Sequence, residues 1–188
     1  MNSFLSKQEI DSFGFSAVGE DVHISRFAHF YGAEKIHIGN HVRIDDFCIL
    51  SGEIVLGSFI HLAANVLLFA GDSSIEVGDY STLSSRCAVY AISDDYSGEA
   101  MTNPTVPKEF RNVTGKKVTI GKHVIVGTGS TILPGVEIGE GGSFGAMSLI
   151  NKSTAPWGIY MGAPCRRIRD RRKDLLEYEK MLRNREER

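Results

Sequence analysis

The sequence predicts an all-β fold: a three-sided parallel β-helix of hexapeptide repeats, with one long loop excursion and a C-terminal α-helix. Aliphatic residues recur every six positions, as at Ile120, Val126 and Ile132. Ile-Gly and Leu-Gly pairs recur 18 positions apart, as at Ile38 and Leu56. The chain also contains 20 glycines, a residue that permits tight turns. The six-residue period excludes a helix of 3.6 residues per turn and fits three short strands per coil.

Each hexad begins with a residue that we expect to point into the prism and to stack on its counterpart one coil later. Stacking is necessary because a single coil cannot bury its own apolar face. Each aliphatic side chain that becomes fully buried contributes about 1.5–3 kcal/mol. The residues that start the hexads are Val18, Ile24, Phe30, Ile38, Ile44, Leu50, Leu56, Leu62, Leu68, Val77, Leu83, Val89, Ile120, Val126, Ile132, Ile138, Phe144 and Ile150.

The repeat is interrupted at three places. Two short slips occur at "YGAEKIH" and at "AGDSSIE", and the second contains Asp72. The third interruption is the loop excursion 91–117, in which Pro104 and Pro107 prevent a regular central strand. A loop of this length inside a compact domain is typically functional or disordered.

The chain is expected to form a single domain, 1–188, with the β-helix over 18–165. Residues 167–188 contain no Gly or Pro, and their apolar residues fall on one stripe of a charged helix. We expect this C-terminal helix to cover the open end of the prism, where the last strands would otherwise form an exposed edge.

Composition excludes several classes of protein. A formal net charge of −2 gives no basic field for nucleic acid. No window approaches the roughly 18 apolar residues of a membrane span, and the N-terminus lacks the features of a signal peptide, so a cytoplasmic location is expected. The three cysteines show no C-x-x-C spacing, which argues against a disulfide framework or a zinc site.

The hexads, together with the closing segment "GAPCRRIR" at 162–169, resemble the hexapeptide-repeat acyltransferase family, in its branch that acetylates sugars and galactosides. The resemblance covers about residues 18–165. It implies a left-handed β-helix, acetyl-CoA as cosubstrate, and a homotrimer with active sites between subunits. It also implies that the excursion 91–117 reaches a neighbouring subunit and helps to form the active site.

The resemblance further implies which residues contact the cofactor. Small residues at matching places in successive coils would leave an outer groove for the pantetheine arm. Arg166 and Arg169 would meet the nucleotide phosphates, because Arg binds phosphate through charge-assisted, bidentate hydrogen bonds; alternatively, they pair with acidic residues of the tail. The full set of expected cofactor-binding residues is Gly127, Thr128, Ala146, Asn151, Lys152, Arg166 and Arg169.

The catalytic base is left open by the sequence. The family's galactoside branch uses a His in the excursion, but the matching position here is Asp94, and residues 91–117 contain no His. Asp94 or Asp95 could serve, since two adjacent carboxylates in a partly dry cleft raise the pKa of one of them. Alternatively, His123 or His61 reaches in from a coil or from a neighbouring subunit. A third alternative is an amine acceptor that needs no strong base, with a carboxylate orienting it or carrying its proton away.

Four polar residues are candidates for binding a hydroxyl-rich acceptor, although each also fits a solvated turn: Asp72, Tyr96, Glu99 and Asn103. We therefore predict acetyl-CoA-dependent transfer to the amine of a nucleotide-linked amino sugar in surface polysaccharide biosynthesis. The alternative is O-acetylation of a sugar or small hydroxyl compound. A more distant alternative is a zinc protein resembling γ-type carbonic anhydrases, because His23, His41 and His61 lie 18 and 20 residues apart. No metal is expected.

Overall fold

The computed structural model describes residues 3–186. Their main body is the predicted left-handed parallel β-helix. Each coil runs through a first, a second and a third face of a prism. One parallel sheet contains the strands of the first and third faces, and a second sheet contains those of the second face. In chain order the strands are β1 (Ala17–Val18), β2 (His23–Ile24), β3 (His29–Tyr31), β4 (Ile36–Ile38), β5 (Arg43–Ile44), β6 (Ile49–Leu56), β7 (His61–Leu62), β8 (Leu67–Val77), β9 (Thr82–Leu83), β10 (Ala88–Tyr90), β11 (Ile92–Ser93), β12 (Thr114–Gly115), β13 (Val118–Ile120), β14 (Ile125–Val126), β15 (Thr131–Ile132), β16 (Glu137–Ile138), β17 (Ser143–Phe144), β18 (Leu149–Ile150), β19 (Gly158–Met161) and β20 (Arg166–Asp170).

The register of the strands confirms the stacking of hexads. Ile38 is the partner of Leu56, and Ile120 is the partner of Ile138. Apart from Val18 and Phe30, which are partly buried, the residues that start the hexads are at most 3% exposed. Parallel strands joined by tight corners therefore bury one aliphatic column on each face.

All three interruptions occur at the same corner, between the third and the first face. The first is a 3₁₀ turn at Ala33–Lys35, and the second is a bend inside β8 around Gly71. The third is the excursion, whose base is an antiparallel pair of β11 with β12. Because the hexad phase resumes on the first face after each interruption, the additional residues all project from one edge of the prism.

A short N-terminal helix was missed by the sequence analysis. Helix α1 (Lys7–Ser12) begins at a capping box, in which Ser6 accepts from the backbone of Glu9 and the Glu9 carboxylate accepts from the backbone of Ser6. Its residue Ile10 is buried against the first coil. The S-x-x-E spacing was a signal that could have predicted this helix.

The predicted C-terminal helix is present, but its predicted extent, 167–188, and its predicted position, over the end of the prism, were wrong. Residues 166–170 form β20, which turns back antiparallel on β19 after Gly162 at φ +98°. Helix α2 comprises Leu175–Glu186. Residues 187–188 of the predicted range lie outside the described residues. It lies along the corner between the first and second faces, where Glu179 contacts His123 and Glu186 contacts His41. No helix within residues 3–186 is long and apolar enough to span a membrane.

Candidate active site

A cavity of about 1260 Å³ opens outside the third face, at the corner where the three interruptions lie. Its floor is made of outward-facing residues of successive coils. The rings of Phe69 and Tyr90 stack there with centroids 5.5 Å apart, and Thr131 and Leu133 continue the floor. The stacked floor follows directly from the coil register, since Phe69 and Tyr90 are β partners. A largely apolar floor of this kind suits the flat face of a base or a sugar ring.

Gly71 allows the bend in β8 to approach the excursion. Its φ is +58°, a conformation that glycine adopts readily. A Cβ at this position would lie 2.6 Å from Cγ2 of Ile92, so any side chain would collide with β11. The close approach places Asp72, a candidate acceptor-binding residue, on the cavity wall beside the excursion.

The adjacent carboxylates of the excursion have different surroundings. Asp95 accepts hydrogen bonds from the backbone N–H groups of Ser97, Gly98 and Ala100 at 2.8–3.1 Å, and from the Ser97 hydroxyl at 2.7 Å. The Ser97 hydroxyl, followed by these backbone donors, lowers the pKa of Asp95 to about 2. Asp95 therefore fixes the conformation of its own loop.

Asp94, in contrast, lies on the cavity wall with its carboxylate free. Within residues 3–186 only its backbone carbonyl accepts a hydrogen bond, from the Ser93 hydroxyl at 3.0 Å. Of the two aspartates, Asp94 is thus the one whose side chain is available to a ligand.

The structure brings together only part of the predicted acceptor site. Asp72, Asp94 and Tyr96 line the same cavity, whereas Glu99 and Asn103 are absent from its lining. The Asn103 side chain instead accepts from the backbone N–H of Thr105 at 3.0 Å and stabilises a turn.

Two basic residues of the excursion, Lys108 and Arg111, also line the cavity and were not singled out from the sequence. They lie in a loop without periodicity, so no pattern marked them. Their position inside a long polar loop already predicted to be functional was the available signal. They give the cavity cationic groups as well as the carboxylates of Asp72 and Asp94.

His123 does not reach this cavity. It lies at the corner between the first and second faces, is 7% exposed, and has its Nε2 atom 2.6 Å from the Glu179 carboxylate. Its ring stacks on Tyr80 with centroids 5.0 Å apart. His61, the other histidine considered, lies 2.8 Å from the carboxylate of Asp45. Both imidazoles are therefore engaged within the scaffold.

The expected cofactor residues occupy several parts of the prism. Gly127 and Ala146 lie on successive coils at the corner between the second and third faces. A Cβ on Gly127 would be 2.5 Å from the Ala146 nitrogen, so the spacing of the coils itself requires glycine there. Thr128 donates its hydroxyl to the Ser85 carbonyl at 2.6 Å. Asn151 and Lys152 are exposed where the last strand of the third face ends.

Arg166 and Arg169 lie on β20, at the edge of the second face, and both are exposed. Within residues 3–186 neither forms an ion pair with the tail; Arg166 donates only to the adjacent Cys165 carbonyl. The nearby acid Asp170 pairs instead with Arg167. The two side chains therefore remain available to an anionic ligand.

The histidines considered for zinc do not form a metal site in the described residues. His23 and His41 each contact Asp21, while His61 contacts Asp45. Over residues 3–186 there is no group of three or more His, Cys, Asp or Glu side chains arranged to hold a metal ion.

Comparison with known proteins identifies similar sequences and structures. Residues 117–152 match the family model described as bacterial transferase hexapeptide (six repeats). The chain is 40% identical over 183 residues to a dTDP-4-amino-4,6-dideoxy-D-glucose acyltransferase of Escherichia coli, covering 96% of this chain and 95% of that one.

A solved structure of AntD, an N-acyltransferase from Bacillus cereus, in complex with dTDP and 3-hydroxybutyryl-CoA, is 46% identical with a TM-score of 0.97, over 100% of both chains. Two AntD variants, D94A with dTDP and CoA, and S84C with dTDP-4-amino-4,6-dideoxyglucose and CoA, each give a TM-score of 0.95 at 46% identity. They cover 98% of this chain and 99% and 98% of theirs. The present chain has Asp94 and Ser84 at the same two numbers.

Proposed function

Because the chain belongs to the hexapeptide-repeat acyltransferase family, we propose that it transfers an acyl group from coenzyme A to the amine of a nucleotide-linked amino sugar. The observation that carries this proposal is the carboxylate of Asp94, which lies unpaired on the wall of a cavity large enough for such an acceptor. The similarity to dTDP-amino-sugar acyltransferases makes dTDP-4-amino-4,6-dideoxyglucose the first acceptor to test.

In the proposed reaction the amine nitrogen attacks the thioester carbonyl, a C–N bond forms, and the C–S bond breaks to release coenzyme A. A carboxylate is a weak base at neutral pH. Asp94 therefore first orients the ammonium form by charge. The ammonium loses one proton to water, which frees the nitrogen lone pair for attack. As the C–N bond forms the nitrogen becomes strongly acidic, and Asp94 takes up its second proton, which then passes to the departing thiolate.

The rest of the cavity supports recognition of a sugar. Asp72 and Tyr96 offer a carboxylate and a phenol to sugar hydroxyls, and the stacked rings of Phe69 and Tyr90 offer an apolar surface to a ring face. Glu99 and Asn103 stay candidates for binding only if the excursion meets the acceptor of a neighbouring subunit.

An amine acceptor is favoured over a hydroxyl one. An alcohol needs a base strong enough to remove its proton before or during attack. The described excursion contains no histidine, and His123 is hydrogen-bonded to Glu179 away from the cavity. O-acetylation is therefore the second candidate, and it would need a base that this cavity lacks in the described residues.

Coenzyme A is the proposed acyl carrier, with Gly127, Thr128 and Ala146 along its pantetheine arm and Arg166 and Arg169 at its phosphates. Asn151 and Lys152 are proposed as further contacts of the carrier. The acyl group is predicted to be acetyl. The AntD complex with 3-hydroxybutyryl-CoA makes that larger thioester the necessary comparison.

A homotrimer with sites between subunits is part of the proposal. Exposed apolar side chains lie along the corner between the second and third faces, at Phe27, Phe47 and Met147. Contact with a neighbouring subunit would remove this apolar surface from water. We also propose a cytoplasmic location, because nucleotide-linked sugars and acyl-CoA are made there, and a product that serves as a precursor of surface polysaccharide.

The proposal is tested by following thiol release from acetyl-CoA and 3-hydroxybutyryl-CoA with a matched set of acceptors. The set contains dTDP-4-amino-4,6-dideoxyglucose, its 4-hydroxy analogue and the free amino sugar. We expect release with the amino nucleotide sugar and a product whose mass shows one added acyl group. Transfer to the 4-hydroxy analogue alone, or release that is independent of any acceptor, would overturn the proposal.

A further inference from the structure

We infer that Arg111, assisted by Lys108, binds the diphosphate of the nucleotide-linked acceptor and so makes the diphosphate a requirement for efficient acyl transfer. The inference rests on the proposed function, because it assigns two residues of the same cavity to one part of the acceptor.

Arg111 has a donor without an acceptor. The side chain is partly buried, it lines the cavity, and its Nε atom is buried without a hydrogen-bond partner in the described part of the chain. Buried polar groups in folded proteins nearly always have a partner, so a guanidinium with an orphaned nitrogen is costly to bury. An anion that binds the same guanidinium from the cavity would offset that cost.

Several other arginines of the chain are paired with carboxylates. Arg43 pairs with Asp45, Arg167 with Asp170, and Arg172 with Asp174. Arg111 and Lys108 form no such pair within residues 3–186, although Asp72 and Asp94 line the same cavity. The cavity therefore keeps both signs of charge available instead of neutralising them internally.

This separation of charges matches the chemistry of the proposed acceptor. A nucleotide-linked amino sugar carries an ammonium group on its sugar and two negative charges on its diphosphate. The planar guanidinium of Arg111 can donate two parallel hydrogen bonds to phosphate oxygens, whereas Lys108 supplies a point charge. Asp94 would then bind the amine end and Arg111 the phosphate end of the same molecule.

The position of Arg111 in the excursion holds it at the cavity. Its backbone forms a β-bridge with Met101 and directly follows the 3₁₀ turn Lys108–Phe110. Both basic residues therefore lie in a part of the excursion that has regular backbone contacts. The hydrogen bond from the Lys116 N–H to the Ala91 carbonyl, at 2.8 Å, joins the two ends of the excursion.

The test measures binding apart from chemistry. Titration calorimetry of dTDP, and separately of thymidine, is done with the wild-type protein, with Arg111→Gln and with the control Arg172→Gln, which removes an exposed Arg outside the cavity. We expect Arg111→Gln to raise the dissociation constant of dTDP by about tenfold or more and to leave that of thymidine unchanged. The dissociation constant of dTDP should also depend less on salt concentration in the variant than in the wild type. Arg172→Gln should bind dTDP as the wild type does. Equal affinity of Arg111→Gln and wild type for dTDP would overturn the inference.

Measurements of KM and kcat distinguish failure of this inference from failure of the proposed function. With dTDP-amino sugar, Arg111→Gln should raise KM with a smaller change in kcat, while transfer to the free amino sugar stays at the wild-type rate. Arg111→Lys should recover part of the loss, because it restores the charge without the planar fork. If the wild type transfers nothing to amino sugars yet dTDP binding depends on Arg111, the proposed function is wrong and the diphosphate site stands. If transfer occurs and Arg111→Gln has a normal KM, the diphosphate assignment is wrong.

Discussion

Asp94 and Asp95 are neighbours in sequence, but the turn that follows them separates their roles. The sequence analysis proposed both as catalytic, because charge and position alone do not distinguish adjacent carboxylates. Asp95 is followed two residues later by Ser97 and then by Gly98, the spacing at which an Asp side chain caps its own turn. That local signal could have identified the structural member of the pair, and it leaves Asp94 as the candidate for contact with substrate.

Asp94→Asn should lower kcat for amine acylation by about tenfold or more, because the amide can neither hold the ammonium by charge nor accept its proton. Thiol release at saturating substrates measures this effect. The control is Glu109→Gln, which changes an exposed carboxylate of the same loop outside the cavity lining and should retain the wild-type rate. A normal kcat for Asp94→Asn would remove this residue from the mechanism.

Asp95→Ala should loosen the excursion without unfolding the β-helix, since the residue holds only its own loop. We expect faster tryptic cleavage at Lys108 or Arg111, a raised KM for the acceptor, and nearly unchanged thermal unfolding of the prism. The pKa of Asp95 is lowered to about 2 from 3.8, so its stabilising effect is present above pH 3.8 and is lost as the pH falls through 2. Protection of the wild-type loop should thus be the same at pH 7 and pH 5. Equal cleavage rates for the variant and the wild type would contradict this assignment.

At the scale of elements, the coils and their interruptions were predictable, whereas the course of the C-terminal tail was not. The six-residue spacing of the aliphatic residues predicted where the slips and the excursion lie, because every aliphatic column must resume in register after an insertion. Helix α2 depends instead on partners distant in sequence. Glu179 contacts Lys122 and His123, and Arg171 donates to the carbonyls of His123 and Gly141. A helical stripe indicates that one side is buried but does not indicate which surface buries it.

Glu179→Gln should therefore destabilise the protein, because it removes the charged acceptor at the contact between helix α2 and the prism. The two side chains of the Glu179–His123 contact are 12% and 7% exposed, and loss of the charged acceptor should cost about 1–3 kcal/mol of unfolding free energy at pH 7. Urea denaturation measures the loss. Glu177→Gln is the matched control, because Glu177 is an exposed residue of the same helix, and it should have little effect.

The same contact predicts a pH dependence. Burial raises the pKa of Glu179, but hydrogen bonds from His123 and Lys122 outweigh burial and bring the pKa below 4.5. A lowered folded-state pKa means that the stabilising effect is present above pH 4.5 and is lost as the pH falls further. The difference in unfolding free energy between wild type and Glu179→Gln should therefore narrow below pH 4. If this difference in unfolding free energy stays constant across that range, the charge of Glu179 does not stabilise the contact between helix α2 and the prism.

For the whole molecule, periodicity predicted the prism, and the break in periodicity predicted where the cavity would lie. The detailed chemistry of the cavity was only partly predictable. The interruptions predicted Asp72, Asp94 and Tyr96. They did not predict Lys108 and Arg111, because a loop without a repeat gives no register from which to infer which side chains face the cavity.

The proposed carrier contacts and the cavity occupy different parts of one chain. Arg166 and Arg169 lie at the edge of the second face, whereas Asp94 projects at the corner between the third and first faces. The body of the prism separates these surfaces. A complete site that uses both would therefore combine Asp94 of one subunit with the arginines of a neighbour, which a closed ring of three subunits permits.

Mixed trimers test this arrangement. Asp94→Asn chains and chains carrying Arg166→Gln with Arg169→Gln are denatured together, refolded, and assayed at subsaturating acyl-CoA, where each parent treated alone should be nearly inactive. If sites lie between subunits, random mixing should restore about a quarter of wild-type activity, since half of the chains supply an intact Asp94 and half of their neighbours supply intact arginines. The active fraction should elute with a mass about three times the 20.7 kDa of one chain. If both sets of residues serve one site within a single chain, every site in the mixture lacks one of them, and the mixture will be no more active than its parents.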